Sequence, residues 1–351
     1  MARLAINGYG RIGRCVLRAL VESGRDDLQI VAINEPAADL ASLAYLTRFD
    51  STHGRFPVGV TEFEHGLSIG GRPLRVSHGR AAAEVDWTGL ELDLLLDCSG
   101  SYSTRAGADA YLAAGVPRVL VSHPLAAAAE ADATIVYGIN QQSLSGRERI
   151  VSNASCTTNC IVPVLSVLDA AFGIEAGFIS TLHSVMNDQP LIDAYHDVDL
   201  RRTRSAMQSM IPVSTGLARG IGRLLPQLDG RIQAKAVRVP TLNVSAMDTV
   251  LTLARATTAG EVNAILRAAT EGPLAGLLAY TELPHASCDF NHDPHSGVVD
   301  GSLTRVGGDG RLVSLLAWFD NEWGFANRML DVARHWLALS APSTITTGTL
   351  R

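Results

Sequence analysis

Along the first 150 residues, short aliphatic runs alternate with stretches whose apolar positions recur at helical spacing. RLAIN (3–7), LQIVAIN (28–34), LDLLLDC (92–98), RVLVS (118–122), ATIVYG (133–138) and RIVSN (149–153) are nearly continuous in apolar residues. Strands of that kind are buried on both faces, so the pattern predicts a doubly wound α/β domain with a parallel sheet between layers of helices. After residue 153 one long apolar stretch, IVPVLSVLDAAFGI (161–174), reads as a buried helix. It is followed by longer strand candidates at 176–183, 231–239, 244–254 and 312–319, with helical stretches at 209–225 and 260–272. Strands with fewer helices between them predict an α+β domain built on a mostly antiparallel sheet.

The expected division is therefore 1–155 for the first domain and 156–320 for the second. A helix within 321–340, carrying ANRMLDVARHWLAL (326–339), is expected to pack back on the first domain, and 341–351 reads as a tail. The length of 351 residues suits two cores rather than one.

Composition narrows the class. With 47% apolar and 18% charged residues and 32 glycines, the chain is of ordinary globular make-up. A net charge of −6 and the lack of any basic block give no footprint for nucleic acid as a partner. The 161–174 run is cut by Asp169 and is shorter than the roughly 18 residues of a membrane span, so no membrane partner is expected. The strand pattern begins by residue 3, which leaves no room for a leader and predicts a cytoplasmic location. The five cysteines (15, 98, 156, 160 and 288) include no CxxC pair, so neither a disulfide framework nor a metal site is read from their spacing. NHDPH (291–295) resembles a metal motif only superficially and reads as a loop.

The chemistry begins with INGYGRIGRCVLRAL. Gly8, Gly10 and Gly13 form G-x-G-x-x-G directly between an apolar strand and a run of helical spacing that stops at Gly24. In that context the first glycine allows the tight turn, the second lets a pyrophosphate approach the backbone, and the third lets helix and strand pack closely. This makes the first domain Rossmann-type. Glu35 ends the next strand, where an acid meets ribose hydroxyls and repels a 2′-phosphate, so NAD is the expected cofactor. Ser99-Gly100 and Ser122 follow later strands and fall at the carboxyl edge of the sheet.

IVSNASCTTNC places Cys156 in the first turn of the long apolar helix, with Ser155 or Asn153 as the cap. Two readings stay open from these residues: a small buried apolar side chain, or a thiol whose pKa the helix terminus lowers to roughly 3.5–7.5. A thiolate nucleophile needs an imidazole that can lie far away in sequence. His183 ends the run GFISTLH, although spacing alone does not select it among ten histidines. Arg201, Arg202, Thr215, Gly216 and Arg238 interrupt apolar neighbourhoods and together would suit a phosphate ester.

Taken in order, INGYGRIGR, SNASCTTNC, DLRRTR, IPVSTG, VRVPT and DNEWGFANRM resemble the glyceraldehyde-3-phosphate dehydrogenase superfamily across nearly the whole chain. Within it, VAINE, VYGINQ, LHSVMNDQ, YTELP and NHDPHSGVVDG are similar to the erythrose-4-phosphate dehydrogenase branch. The resemblance implies Cys156 as nucleophile and His183 as its base. It implies Arg11 and Ile12 at the pyrophosphate, Glu35 at the ribose, Arg80 and Ser122 around the cofactor, and Asn321 on the nicotinamide amide. Ser155 and Thr157 would flank the thiol, with Arg202, Thr215, Gly216 and Arg238 on phosphate groups. The implied reaction is oxidation of a small phosphorylated aldose, D-erythrose 4-phosphate to 4-phosphoerythronate, on the way to pyridoxal phosphate, through a hemithioacetal and a hydrolysed thioester. The alternative is the phosphorylating triose reaction, and a non-catalytic NAD-binding regulator is a third reading. The resemblance further implies a homotetramer, with 185–205 crossing a subunit interface.

One residue departs from the glycolytic pattern. Met186 stands three residues after His183, where glycolytic members carry a phosphate-binding threonine. A thioether donates no hydrogen bond, and losing one to a charged group costs about 1.5–3 kcal/mol, so water is expected to compete better with phosphate. Thr215-Gly216 keeps the glycolytic pattern and argues the other way.

Overall fold

The computed structural model describes residues 1–196 and 199–339. The expected tail at 341–351 lies outside the described residues. The first sheet is built from β1 (Ala2–Asn7), β2 (Leu28–Asn34), β5 (Val60–Phe63), β6 (Gly66–Ile69), β7 (Arg72–Ser77), β8 (Leu94–Asp97), β9 (Val119–Val121), β10 (Ala133–Thr134) and β11 (Ile150–Ser152). Between β2 and β5, the short strands β3 (Phe49–Asp50) and β4 (Gly54–Arg55) pair only with each other. The strand order is β10-β11-β9-β8-β1-β2-β7-β6-β5. From β10 to β7 all pairings are parallel, and β6 and β5 add an antiparallel edge.

That edge carries no continuous aliphatic run, because β5 and β7 are largely exposed and alternate weakly, so periodicity does not mark it. The expected strand at 133–138 is shorter than the apolar run, since only Ala133 and Thr134 pair with β11.

Of the strands expected from aliphatic runs, β2, β8, β9, β11 and most of β1 are buried on both faces as predicted, while β10 is only half-buried. One core layer joins Leu4, Ile6 and Ile33 to α1 (Arg11–Glu22) and to Met329, Leu330, Ala333 and Trp336 of α7 (Trp323–Ala338). The opposite layer contains Ala5, Leu95, Val119, Val121 and Trp87, packed under α3 (Arg105–Ala113). Helix α2 (Leu40–Arg48) lies beside β5. At the carboxyl edge a polar ladder takes over: Asn34 Nδ2 donates to Asn7 Oδ1 at 2.9 Å, and Asn7 Nδ2 donates to Asp97 Oδ1 at 2.7 Å.

The second sheet contains β12 (Ile174–His183), β13 (Ile211–Val213), β14 (Ile232–Arg238), β15 (Ser245–Leu253), β16 (Leu278–Thr281), β17 (Gly297–Gly307) and β18 (Leu312–Phe319), ordered β13-β14-β12-β15-β18-β17-β16. It is mostly antiparallel, with parallel pairs at β12/β14 and β16/β17. One face is covered by α4 (Cys156–Phe172), α5 (Leu217–Leu224) and α6 (Ala259–Glu271) around a second core.

The helix expected over 209–225 is a correction. Ile211–Val213 pairs with β14 as a strand, and the helix begins only at Leu217, after Pro212 and the Ser214-Thr215-Gly216 break. Among the described residues, no helix is long and apolar enough to cross a membrane.

Trp336 is fully buried where α7 meets the first sheet. Trp336→Ala is expected to lower the unfolding free energy by about 3–5 kcal/mol, the range for removing a buried large aromatic. Urea denaturation followed by circular dichroism measures this, and a loss below about 1 kcal/mol would mean that α7 contributes little to the core.

Candidate active site

The polypeptide leaves β11 and enters α4 through an abrupt turn. Ala154 takes φ +56°, a left-handed conformation that is uncommon for a residue with a Cβ. Asn159, one turn into the helix, clamps it: its Nδ2 donates to the carbonyls of Asn153 and Ser155, both at 2.9 Å. Ser155 is the N-cap, accepting from Thr158 N at 3.1 Å, while Thr158 Oγ1 accepts from Ser155 N at 2.8 Å. Ser155 Oγ also meets Thr157 Oγ1 at 2.8 Å. Cys156 is thereby the first helical residue, beside the unpaired amides of the helix terminus. Cys160, one turn on, is fully buried and packs.

His183 ends β12, and the parallel register sets it directly opposite Arg238 at the end of β14. Its Nε2 lies 3.8 Å from Cys156 Sγ, and its Nδ1 lies 2.8 Å from the Ser184 carbonyl. A carbonyl only accepts, so Nδ1 carries the hydrogen and Nε2 presents its lone pair to the sulfur. The ring edge of His183 packs on Phe319.

Of the two readings left open for Cys156, the packing around the sulfur opposes the lowered pKa. Cys156 keeps part of its surface open to the cavities, yet the protein packed around the sulfur pushes the thiol up to about 11. The Thr157 amide and the Arg238 charge pull the other way and are outweighed. Burial likewise drives His183 down to about 4, against the hydrogen bond to Ser184. Removing water disfavours both charged forms, so the resting pair is a neutral thiol facing a neutral imidazole.

Two cavities meet at this pair. One, of about 350 Å³, is lined by Ser155, Cys156, Thr157, His183, Thr215, Gly216, Arg219 and Arg238. The other, of about 290 Å³, is lined by Arg11, Ile12, Ser122, Cys156, His183, Met186, Asn321 and Glu322. Cys156 and His183 belong to both walls.

On the first side, Arg238 is 9% exposed and its Nε and Nη1 make no hydrogen bond. Its nearest counter-charge is Asp188, at 3.9 Å. Burial lowers its pKa, partly offset by Asp188. A buried guanidinium with unused donors is suited to an anion. Thr215 and Gly216 sit at the start of α5, with Thr215 Oγ1 accepting from Leu217 N at 3.2 Å. Arg202, expected on a phosphate group, is not in this wall: its Nη1 donates to Asp188 Oδ2 at 2.9 Å. Arg201 is exposed and also outside it. Met186 stands on the other wall, away from Arg238.

On the second side, Asn321 Oδ1 accepts from Ser184 Oγ at 2.9 Å and from Ser245 Oγ at 2.8 Å. With its oxygen so occupied, Nδ2 remains the donor for a ligand carbonyl, the group a nicotinamide carboxamide offers. Ser122 follows β9 and Ile12 opens α1. Arg11 also opens α1, but its side chain is not available to a pyrophosphate: Nε donates to Glu322 Oε1 at 2.9 Å, Nη2 pairs with Glu322 Oε2, and Nη1 pairs with Asp50 at 2.5 Å. Only its backbone faces that role.

The glycine loop fits a dinucleotide. A Cβ at Gly8, which has φ +85°, would lie 2.5 Å from Ser99 Cα, and one at Gly13 would lie 2.2 Å from the Gly8 carbonyl. Gly10 faces open space. Glu35 receives the Tyr9 amide at 2.7 Å and the Ala37 amide at 2.9 Å, which fixes the carboxylate beside the loop. Arg80 is exposed just beyond β7.

Three further side chains on these walls escaped the sequence reading. Arg219 and Arg223 lie four apart on α5, a spacing visible in LARGIGRL. Arg223 donates to the carbonyls of Leu125 and Ala126, securing the loop above the cavity. Glu322 follows Asn321 and carries no local signal of its partners.

Residues 2–105 match the family model for the glyceraldehyde 3-phosphate dehydrogenase NAD binding domain. Residues 155–321 match that for the glyceraldehyde 3-phosphate dehydrogenase C-terminal domain.

Two outcomes are expected. Because the resting thiol is protonated, alkylation of Cys156 by uncharged iodoacetamide should accelerate about tenfold per pH unit from neutrality to pH 10, tracking the thiolate. A rate already level at pH 7 would reveal a preformed ion pair instead. Gly13→Ala should abolish dinucleotide binding measured by calorimetry, since the added Cβ displaces the Gly8 carbonyl from the loop.

Proposed function

We propose, for a chain that belongs to the glyceraldehyde 3-phosphate dehydrogenase superfamily by both of its domains, that its NAD-dependent dehydrogenase chemistry acts on D-erythrose 4-phosphate. The product would be 4-phosphoerythronate. The observation that carries this reading is the position of Cys156 and His183 in the wall common to both cavities. A sulfur there can hold an aldehyde carbon on one side within reach of a hydride acceptor on the other.

Arg238 would take the phosphate of the substrate. Sγ adds to the aldehyde carbon while the thiol proton passes through His183 Nε2 to the carbonyl oxygen, giving a neutral hemithioacetal. The Cys156 amide at the head of α4 would be the donor to negative charge developing on that oxygen. His183, neutral again, takes the hydroxyl proton when the oxidation leaves a thioester. NAD, held by the glycine loop, Glu35 and Asn321, supplies the hydride acceptor when bound. Water then cleaves the thioester, releasing the acid and restoring the thiol.

Met186 offers phosphate no side-chain hydrogen-bond donor and stands on the cofactor-side wall away from Arg238, which supports water as the acyl acceptor. The second reading, the phosphorylating triose enzyme, is favoured by Thr215 and Gly216 at the start of α5 beside Arg219, a second place where an anion could rest. A non-catalytic regulator has no need of the thiol and imidazole that face each other here. For assembly, we read the exposed apolar side chains of Leu191, Ile192, Tyr195 and Leu200 as support for burial between subunits of a homotetramer.

The decisive measurement is kcat/KM for erythrose 4-phosphate and glyceraldehyde 3-phosphate, each with and without inorganic phosphate. The four-carbon sugar should be preferred and turnover should not need phosphate; strict phosphate dependence with the triose preferred overturns the reading. Arg238→Gln should lower kcat/KM for the phosphorylated aldehyde about 10- to 100-fold, the equivalent of one charge-assisted hydrogen bond, and much less for an unphosphorylated one. His183→Asn should reduce kcat by about 10²–10⁴.

A further inference from the structure

Away from the catalytic pair, the fold assembles a second sulfur–imidazole–carboxylate cluster from distant parts of the chain. Cys15 lies on α1, His53 in the turn joining β3 to β4, and Glu322 just before α7. One ligand-capable atom from each lies within 4.8 Å of the others.

His292 Nε2 lies 2.6 Å from Glu22 Oε2, and a carboxylate only accepts, so Nε2 carries the hydrogen. His292 Nδ1 lies 3.0 Å from His53 Nδ1, so one of these two nitrogens donates to the other, and His53 Nε2 points inward. Its side chain is fully buried, Nε2 makes no hydrogen bond, and it faces the Glu322 carboxylate at 3.4 Å.

An imidazole nitrogen held against a carboxylate in a buried place calls for a cation between them, which a proton or a metal ion can supply. The arrangement is that of a metal-ligating imidazole, whose second nitrogen donates to an outer partner that fixes the ring. Here the outer chain is His292 and Glu22, and His292 is further held by stacking on Trp323 at 3.6 Å.

We propose that Cys15, His53 and Glu322 form a binding site for zinc or a similar borderline-soft divalent ion, with one remaining position for water. Thiolate, imidazole and carboxylate are a donor set such ions accept in tetrahedral geometry. Binding displaces the Cys15 thiol proton, and any proton on His53 Nε2, to solvent; no oxidation is involved. The ion's two charges are balanced by the thiolate and the carboxylate. Arg11 stays hydrogen-bonded to Glu322 behind the site, with Asp50 as its own counter-charge. Glu322 also lines the cofactor-side cavity. Occupancy would tie α1 to the segment that carries Asn321, and so bear on the cofactor side of the active site.

The catalytic pair is itself a sulfur beside an imidazole and must be separated in the test. Cobalt(II) serves as the probe, because a thiolate ligand gives a ligand-to-metal charge-transfer absorption. The full-length Cys156→Ser variant should keep that band, while Cys156→Ser/Cys15→Ser should lose it. Cys156→Ser/His53→Gln should bind cobalt at least about tenfold more weakly by titration. NAD binding by each variant, followed by calorimetry, shows that the fold is retained. If a variant does not fold, thermal unfolding of Cys156→Ser with zinc present decides: a raised midpoint that zinc chelation reverses supports the site. Loss of the band in Cys156→Ser alone, or no band in any form, overturns the proposal.

Discussion

The turn from β11 into α4 is the constraint on which the active site depends. Holding Ala154 in the left-handed region costs free energy for a residue with a Cβ, of order 1–3 kcal/mol. The Asn159 bridge to the carbonyls on either side, and the reciprocal bonds of Ser155 and Thr158, offset that cost. An extended residue at 154 would carry the strand onward and take the sulfur away from the carboxyl edge of the first sheet. With the turn in place, the first helical residue stands between both ligand cavities, and the helix amides lie beside its sulfur.

The electrostatics follow from that position. A helix terminus stabilises a thiolate when water still solvates it, but here protein surrounds the sulfur and desolvation is the larger effect. The same burial keeps His183 neutral, the state in which an imidazole can accept a proton. Thiol and imidazole thus both rest uncharged. Arg238 shares that burial, and its proximity to Asp188 moderates a positive charge that would otherwise stand unpaired.

The cofactor side is held together differently. Arg11 opens α1 and reaches Glu322 just before α7 and Asp50 in β3, so one guanidinium links the glycine loop to the segment carrying Asn321. Both carboxylates are held below their usual range: burial opposes this, and the nearby His53, the Arg11 guanidinium and backbone amides prevail. Helix α7 adds the apolar part, since it completes the core that α1 begins. The two sheets each have a core of their own, and Arg11 and α7 join elements far apart in the chain.

Features governed by near neighbours were legible in the chain itself. Buried parallel strands appear as aliphatic runs, the G-x-G-x-x-G turn and the Ser155 cap act over a few residues, and each is a local steric or hydrogen-bonding rule. The antiparallel edge formed by β5 to β7 was not legible, because its strands are too exposed to leave a hydrophobic signature. Nor was β13, whose three residues are made a strand only by pairing with β14. Tertiary structure alone decided what met across distance: His183 with Cys156, 27 residues apart; Arg11 with Glu322, 311 apart; and Arg202 with Asp188 instead of the cavity. It also decided the sign of the Cys156 pKa shift, because solvent exclusion depends on everything packed around an atom, and no spacing of residues encodes that.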